Sequence, residues 1–184
     1  IEIADSISKN LTKEAIAIKV NSVLQDLRQE IRHDSNIEII TRKSPEALEI
    51  IRHDAAHIMA EAVQFLFKDT LVSIGPVIKD GFYYDFDNQK SFSPEDFSKI
   101  EKKMKDIIKD NKPFVREVWG KKEAISHFNK KREIYKVELI KNLEEKEEIT
   151  IYKQGEWLDL CKGPHSPSTG FVGDFFKLLK LSGA

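Results

Sequence analysis

SPEALEIIRHDAAHIMAEAVQFLF, residues 44–67, reads as one long amphipathic helix. Ser44 is placed to cap it, Pro45 suits the first helical position, and Glu46 favours the positive end of the helix dipole. Leu48, Ile51, Ala55, Ile58, Ala62, Phe65 and Leu66 recur at helical spacing and define a broad apolar stripe. A helix of this length needs a partner surface, and the residues after it supply β-type patterns. LVSIGPVI (71–78) and FYYDFD (82–87) flank Lys79-Asp80-Gly81, a hairpin turn signal.

Working outward, Ser93-Pro94-Glu95 opens a second helix through about Lys109, its outer face mostly lysine. FVREVW (114–119) and EITIYKQ (148–154) alternate as strands, while 121–129 and 131–135 suit short helical pieces and KVELI (136–140) fits either type. WLDL (157–160) leads into a loop at Cys161, and FFKLLKL (175–181) closes the chain. Upstream, residues 1–14 suit a short helix with Ile1, Ile3, Ile7 and Leu11 on one face. AIAIKV (15–20) and VLQDL (23–27) flank an Asn21-Ser22 turn, and IEIIT (37–41) follows. A helix and three short strands within the first 43 residues match a β-grasp unit lacking its first strand. Helices and strands mix without βαβ regularity, so the predicted class is α+β.

Charged residues make up 33% of the 184 and hydrophobic ones 40%, the balance of a soluble globular chain, and no apolar run is long enough for a membrane span. The net charge of −1 argues against binding a polyanion by bulk charge. Its lysine clusters, offset by nearby glutamates, read as solvated helix faces. One cysteine excludes an internal disulfide and is consistent with a reducing, cytoplasmic setting. The chain starts at Ile1 and ends LSGA, so it is expected to be a piece of a longer protein.

Two polar pairs carry the chemistry. His53 and His57 lie one turn apart on the long helix, where carbon would be expected, and their rings project from one side. Cys161 and His165 repeat the spacing in Cys-Lys-Gly-Pro-His, where Gly163 and Pro164 set a fixed turn. These four residues make a credible zinc set, which would be a closed structural site if all of them bind. They equally suit metal-free proton transfer to and from water, or a thiolate activated by a neighbouring imidazole. Spacing alone does not choose among these.

IIRHDAAHIMAEAV, IGPVIKDGFYYDFD and WLDLCKGPHSPSTGF with FFKLLKLSGA, in this order, resemble the editing domain of bacterial-type threonyl-tRNA synthetases. Residues 1–43 resemble the end of the preceding TGS module, with residues 44–184 as the editing domain. The alanyl-tRNA synthetase editing domains share His-x₃-His and Cys-x₃-His but read Cys-x-Gly-Thr-His where this chain has Cys-Lys-Gly-Pro-His; the Tyr-Tyr-Asp stretch also points to the threonyl side. The resemblance implies hydrolysis of serine wrongly esterified to threonine tRNA. The need is physical: a missing methyl group gives a pocket only ~1–3 kcal/mol of discrimination, so a second site must remove the error.

The same resemblance implies a site of His53, His57, Lys136, Asp159, Cys161 and His165. His53 would position or deprotonate water. Cys161 and Lys136 would hold the ester and serve the departing ribose oxygen, while Asp159 would hold the serine ammonium. His57 and His165 would orient the others, and Tyr84, with Tyr83, would wall the pocket or stack on the terminal adenosine. No cofactor is expected for this fragment. Zinc on His53, His57, Cys161 and His165, as in the alanyl relatives, is the less favoured alternative, and ATP and a separate zinc belong to the aminoacylation core outside these residues. The expected partner is the acceptor end of threonine tRNA. The expected fragment is a monomer, its parent a homodimer in the cytoplasm. A structural zinc module and a pure RNA-binding appendage are the competing classes.

Overall fold

Ser8 breaks the first fourteen residues into two short helices, α1 (Glu2–Ile7) and α2 (Lys9–Glu14), in a computed structural model that describes residues 1–183. Its backbone is extended and its hydroxyl accepts the Leu11 N–H at 3.1 Å, capping α2. The single helix expected here is therefore corrected to a kinked pair. The face that packs is carried by Ala4, while Ile1, Ile3 and Ile7 stay exposed.

β1 (Ala15–Val20) and β2 (Val23–Asp26) form the predicted hairpin. Asn21 and Ser22 both take positive φ, 49° and 68°, as a tight turn matched to strand twist requires. β3 (Ile37–Thr41) pairs with the other edge of β1, giving the order β2-β1-β3. Ile16, Ala17 and Ile40 from this sheet pack directly against Ala47 and Ile50 of the next helix. The first sheet is thus fastened to the main body through a shared core.

The long helix α3 (Ala47–Leu66) starts three residues later than Ser44. Ser44 does not cap it but closes the turn before it: its hydroxyl accepts the Thr41 N–H at 3.0 Å and its carbonyl the Ala47 N–H at 3.0 Å. The buried face is also shifted from the expected stripe. Leu48, Phe65 and Leu66 are exposed, whereas Ile50, Ala55, Ala56, Ile58, Ala60, Ala62 and Val63 are buried. The small residues let neighbouring elements close on α3 from more than one side, and three polar residues, Asp54, His57 and (partly) His53, go inside with them.

The hairpin after α3 forms with its ladder split into short pieces: β4 (Leu71–Val72) pairs with β7 (Phe86–Asp87), and β5 (Val77–Ile78) with β6 (Gly81–Phe82). Gly75 interrupts it, where a Cβ would sit 2.3 Å from the Tyr84 ring. A Ser93–Asp96 capping box opens a short 3₁₀ turn that leads into α4 (Phe97–Asp110), and Asn111 ends it in the left-handed conformation.

Next come β8 (Phe114–Trp119), α5 (Lys121–Lys130) and α6 (Ile134–Asn142). The short helical piece expected at 131–135 is corrected: Lys131 to Glu133 form the link, with Arg132 at φ 61°, and KVELI is helical within α6. β9 (Ile149–Gln154) is the centre of a sheet ordered β10-β9-β8, with β10 (Trp157–Leu160) antiparallel on one edge. Ile149 and Ile151 of β9, with Leu158 and Leu160 of β10, pack under α5 and α6. The opposite face carries Tyr152, Trp157 and Asp159 toward α3 and its surroundings. This is the α+β architecture the pattern predicts. No helix among the described residues is long and apolar enough to cross a membrane.

Candidate active site

β10 lies along α3, and their two periodicities mesh. The pleat sends Trp157, Asp159 and Cys161 to one face, and these meet Gln64, His57 and His53 along one side of the helix. Trp157 Nε1–H donates to Gln64 Oε1 at 2.8 Å, Asp159 Oδ2 lies 3.9 Å from His57 Nε2, and Cys161 Sγ lies 3.2 Å from His53 Nε2. The ladder extends beyond β10, since Cys161 N–H donates to the Thr150 carbonyl at 3.1 Å. The chain then turns with Gly163 at φ 72°, where Tyr152 Oη would lie 2.0 Å from any Cβ, so only glycine fits there.

This turn brings His165 back under the thiol, with Nε2 3.4 Å from Cys161 Sγ. His165 is buried and its Nδ1 lies 2.7 Å from Asp54 Oδ1, in the first part of α3. When Asp54 is ionised it holds the proton on Nδ1 and leaves Nε2 free to face the thiol. His53, Cys161, His165 and Asp54 therefore form a continuous line of polar contacts from the surface inward. His57 packs edge-on against both other imidazoles, with ring centroids 5.0 Å from His53 and 4.4 Å from His165.

Behind the cluster, Lys136 reaches in from α6 and pairs with Asp159 Oδ1 at 2.5 Å, both groups being 1% exposed. Tyr84 O–H donates to the other Asp159 oxygen and accepts from Lys136 Nζ at 3.0 Å. Six sequence-predicted residues (His53, His57, Lys136, Asp159, Cys161, His165) and Tyr84 are thus brought together. Tyr83, 41% exposed, is not. Asp54 and Asp26, the latter described below, carried no local signal; each acts through partners more than a hundred positions away.

Burial sets the protonation states. It pulls His53 and His165 down to about 4, and His57 well below the usual imidazole value, with the neighbouring rings adding to the effect on His53 and His57. All three are therefore neutral at pH 7. Burial pushes the Cys161 thiol up to about 12, against a smaller pull from the Gly163 N–H, and pushes Asp54 up to about 7. A thiol held protonated is a poor nucleophile and a poor base, which weighs against the thiolate mechanism.

The four ligating atoms of His53, His57, Cys161 and His165 all lie within 4.8 Å of one another. Their 3.2 and 3.4 Å separations are close to the ~3.3–3.8 Å edges expected of a tetrahedral zinc site, so the set fits such an ion. An ion held by all four would have no position left for water. Beside the cluster lies an open cavity of about 280 Å³, lined by His53, Glu49, Gly75, Val77, Gly163 and, from the first sheet, Leu24.

Residues 149–183, which carry β9, β10 and the Cys161–His165 turn, match the family described as the threonyl and alanyl tRNA synthetase second additional domain. All 184 residues align at 53% identity with the threonine–tRNA ligase of Bartonella quintana, over 28% of its length. The chain is a homologue of threonine–tRNA ligases. The Gluconobacter oxydans enzyme is 55% identical over 182 residues and that of Agrobacterium fabrum 55% over 183, covering 28% and 27% of those proteins. The chain therefore spans little more than a quarter of the length of these threonine–tRNA ligase relatives. Between the threonyl and alanyl branches that the motifs resemble, these relatives bear the threonyl name.

Proposed function

We propose that this chain is an editing module that hydrolyses the ester of seryl-tRNA(Thr), within a parent enzyme that joins threonine to the same tRNA using ATP. One observation carries the reading: an imidazole, His53, lines an open cavity and is backed at 3.2 Å by a thiol. His53 accepts a proton from water at the ring nitrogen not engaged by the thiol, as the water oxygen attacks the seryl carbonyl. The acyl–oxygen bond then breaks, the carboxyl group leaves with serine, and the proton passes to the terminal ribose oxygen. The protonated Cys161 thiol, held between His53 and His165, fixes the His53 ring for this exchange.

Lys136 and Asp159 neutralise one another behind the cluster. We assign them, with Tyr84, to holding β10 and α6 in register around His57 rather than to gripping the serine ammonium. His57 and His165 orient the imidazole and thiol that face the substrate. Residues 1–43 are read as a partial TGS unit, the partner as the acceptor end of the tRNA, and the setting as the cytoplasm. The deciding assay presents seryl-tRNA(Thr) and threonyl-tRNA(Thr) side by side. Release of serine with threonine spared is expected, and equal turnover of both, or of neither, refutes the reading.

The reaction is proposed to need no metal, because an ion on all four groups would occupy both His53 and the thiol and leave water no place. Exhaustive chelation is expected to leave the deacylation rate within about twofold of its starting value, and added zinc to inhibit. Stoichiometric zinc in the purified chain, lost together with activity, would reverse this assignment.

A further inference from the structure

The turn that carries the thiol has no regular secondary structure, so its backbone donors need partners outside a regular ladder. Two consecutive N–H groups find them on side chains of other elements. Ser166 N–H lies 3.3 Å from both oxygens of Asp54, on α3. His165 N–H donates to Asp26 Oδ1 at 3.0 Å, and Asp26 belongs to β2, in the first sheet.

The second Asp26 oxygen is equally committed. It accepts the Tyr152 O–H at 2.6 Å. Tyr152 is a buried residue of the central strand, its hydroxyl lies directly under Gly163, and its ring centroid is 4.5 Å from that of His165. One carboxylate therefore fixes both the backbone of the turn and the side chain on which the turn rests. Two residues before it on the same strand, Leu24 lines the cavity beside His53. The first sheet thus supplies a wall of the cavity and a clamp for the chemistry.

We propose that Asp26 is a positioning residue for deacylation, one that sets the height of Cys161 and His165 against the α3 imidazoles. This rests on the deacylase reading above. Reacting groups misplaced by about 1 Å can lose ~100-fold in rate, even when the cause lies outside the reacting atoms. An asparagine at this position keeps the function, since its amide oxygen accepts from His165 N–H and its NH₂ donates to Tyr152 Oη. An alanine keeps neither.

The test uses the whole 184-residue chain with Asp26→Ala, Asp26→Asn and the unsubstituted protein. Asp26→Ala is expected to lower kcat for seryl release at least about tenfold with KM changed less than about twofold, and Asp26→Asn to recover most of the loss. Backbone hydrogen exchange gives a readout that needs no substrate. The His165 amide should exchange at least about tenfold faster in Asp26→Ala, while the Ser166 amide, held by Asp54, keeps its protection. Wild-type kcat in Asp26→Ala overturns the proposal. So does an asparagine variant as impaired as the alanine one, or an activity loss that tracks the unfolded fraction. If the unsubstituted chain releases no serine, the deacylase reading fails, while the exchange measurement still decides whether Asp26 holds the turn.

Discussion

Replacing His53 with alanine is expected to reduce seryl release by at least ~100-fold while leaving the unfolding temperature almost unchanged, because a positioned general base contributes 10²–10⁴-fold and this one sits at the edge of a cavity. The small thermal effect follows from position: His53 is only partly buried, its polar contact is with one thiol, and it leaves no charge behind when removed. The same residue dictates the pH response. Burial lowers its pKa to about 4, so the neutral, proton-accepting form persists through the neutral range and is lost only as the pH falls through that value. The acid limb of kcat/KM should therefore lie near pH 4, well below the ordinary histidine value of 6.5. Steady-state deacylation between pH 4 and 7.5, corrected for spontaneous hydrolysis, measures it. An acid limb at 6.5 that persists in Asp54→Asn, or a His53→Ala rate within a few fold of wild type, removes His53 from the reaction.

Most helices and strands and both polar pairs can be read from local pattern, because each depends on residues a few positions apart. What brings the pairs together also has a trace in the sequence. Trp157, Asp159 and Cys161 alternate with Leu158 and Leu160, and Gln64, His57 and His53 recur along one side of α3. Neither periodicity states that the two faces meet, since the register of a strand on a helix is decided by long-range packing. Asp54 illustrates the limit. An acid beside His53 reads as an ordinary helix residue, and its role exists only because His165 arrives 111 positions later. Asp26 and Lys136 are similar: one of many surface-type charges in the sequence, each buried or half-buried by a contact between distant elements. The shifted face of α3 has another cause. Periodicity weighted by side-chain size favours Leu48, Phe65 and Leu66, whereas the packed helix turns its alanines inward, where close approach counts for more than bulk.

Lys136→Met is expected to produce the largest loss of stability among the site variants. Lys136 and Asp159 are each about 1% exposed, so among the described residues the ammonium is the only full charge placed to compensate that carboxylate at ion-pair distance. Methionine fills most of the same volume but strands the carboxylate with one hydroxyl donor, Tyr84, and a distant, neutral His57. Breaking a buried pair from one side costs about 3–5 kcal/mol, whereas replacing both partners by apolar groups is often nearly neutral. Chemical denaturation should therefore show Lys136→Met destabilised by about that amount, and Lys136→Met with Asp159→Leu restored to within ~1–2 kcal/mol of wild type. Activity separates the two roles open to the pair. If it only holds β10 against α6, the double variant regains a substantial part of the seryl release along with its stability. If Lys136 or Asp159 touches the substrate, the double variant folds well and stays inactive, and the supporting role assigned here must be given up for a catalytic one.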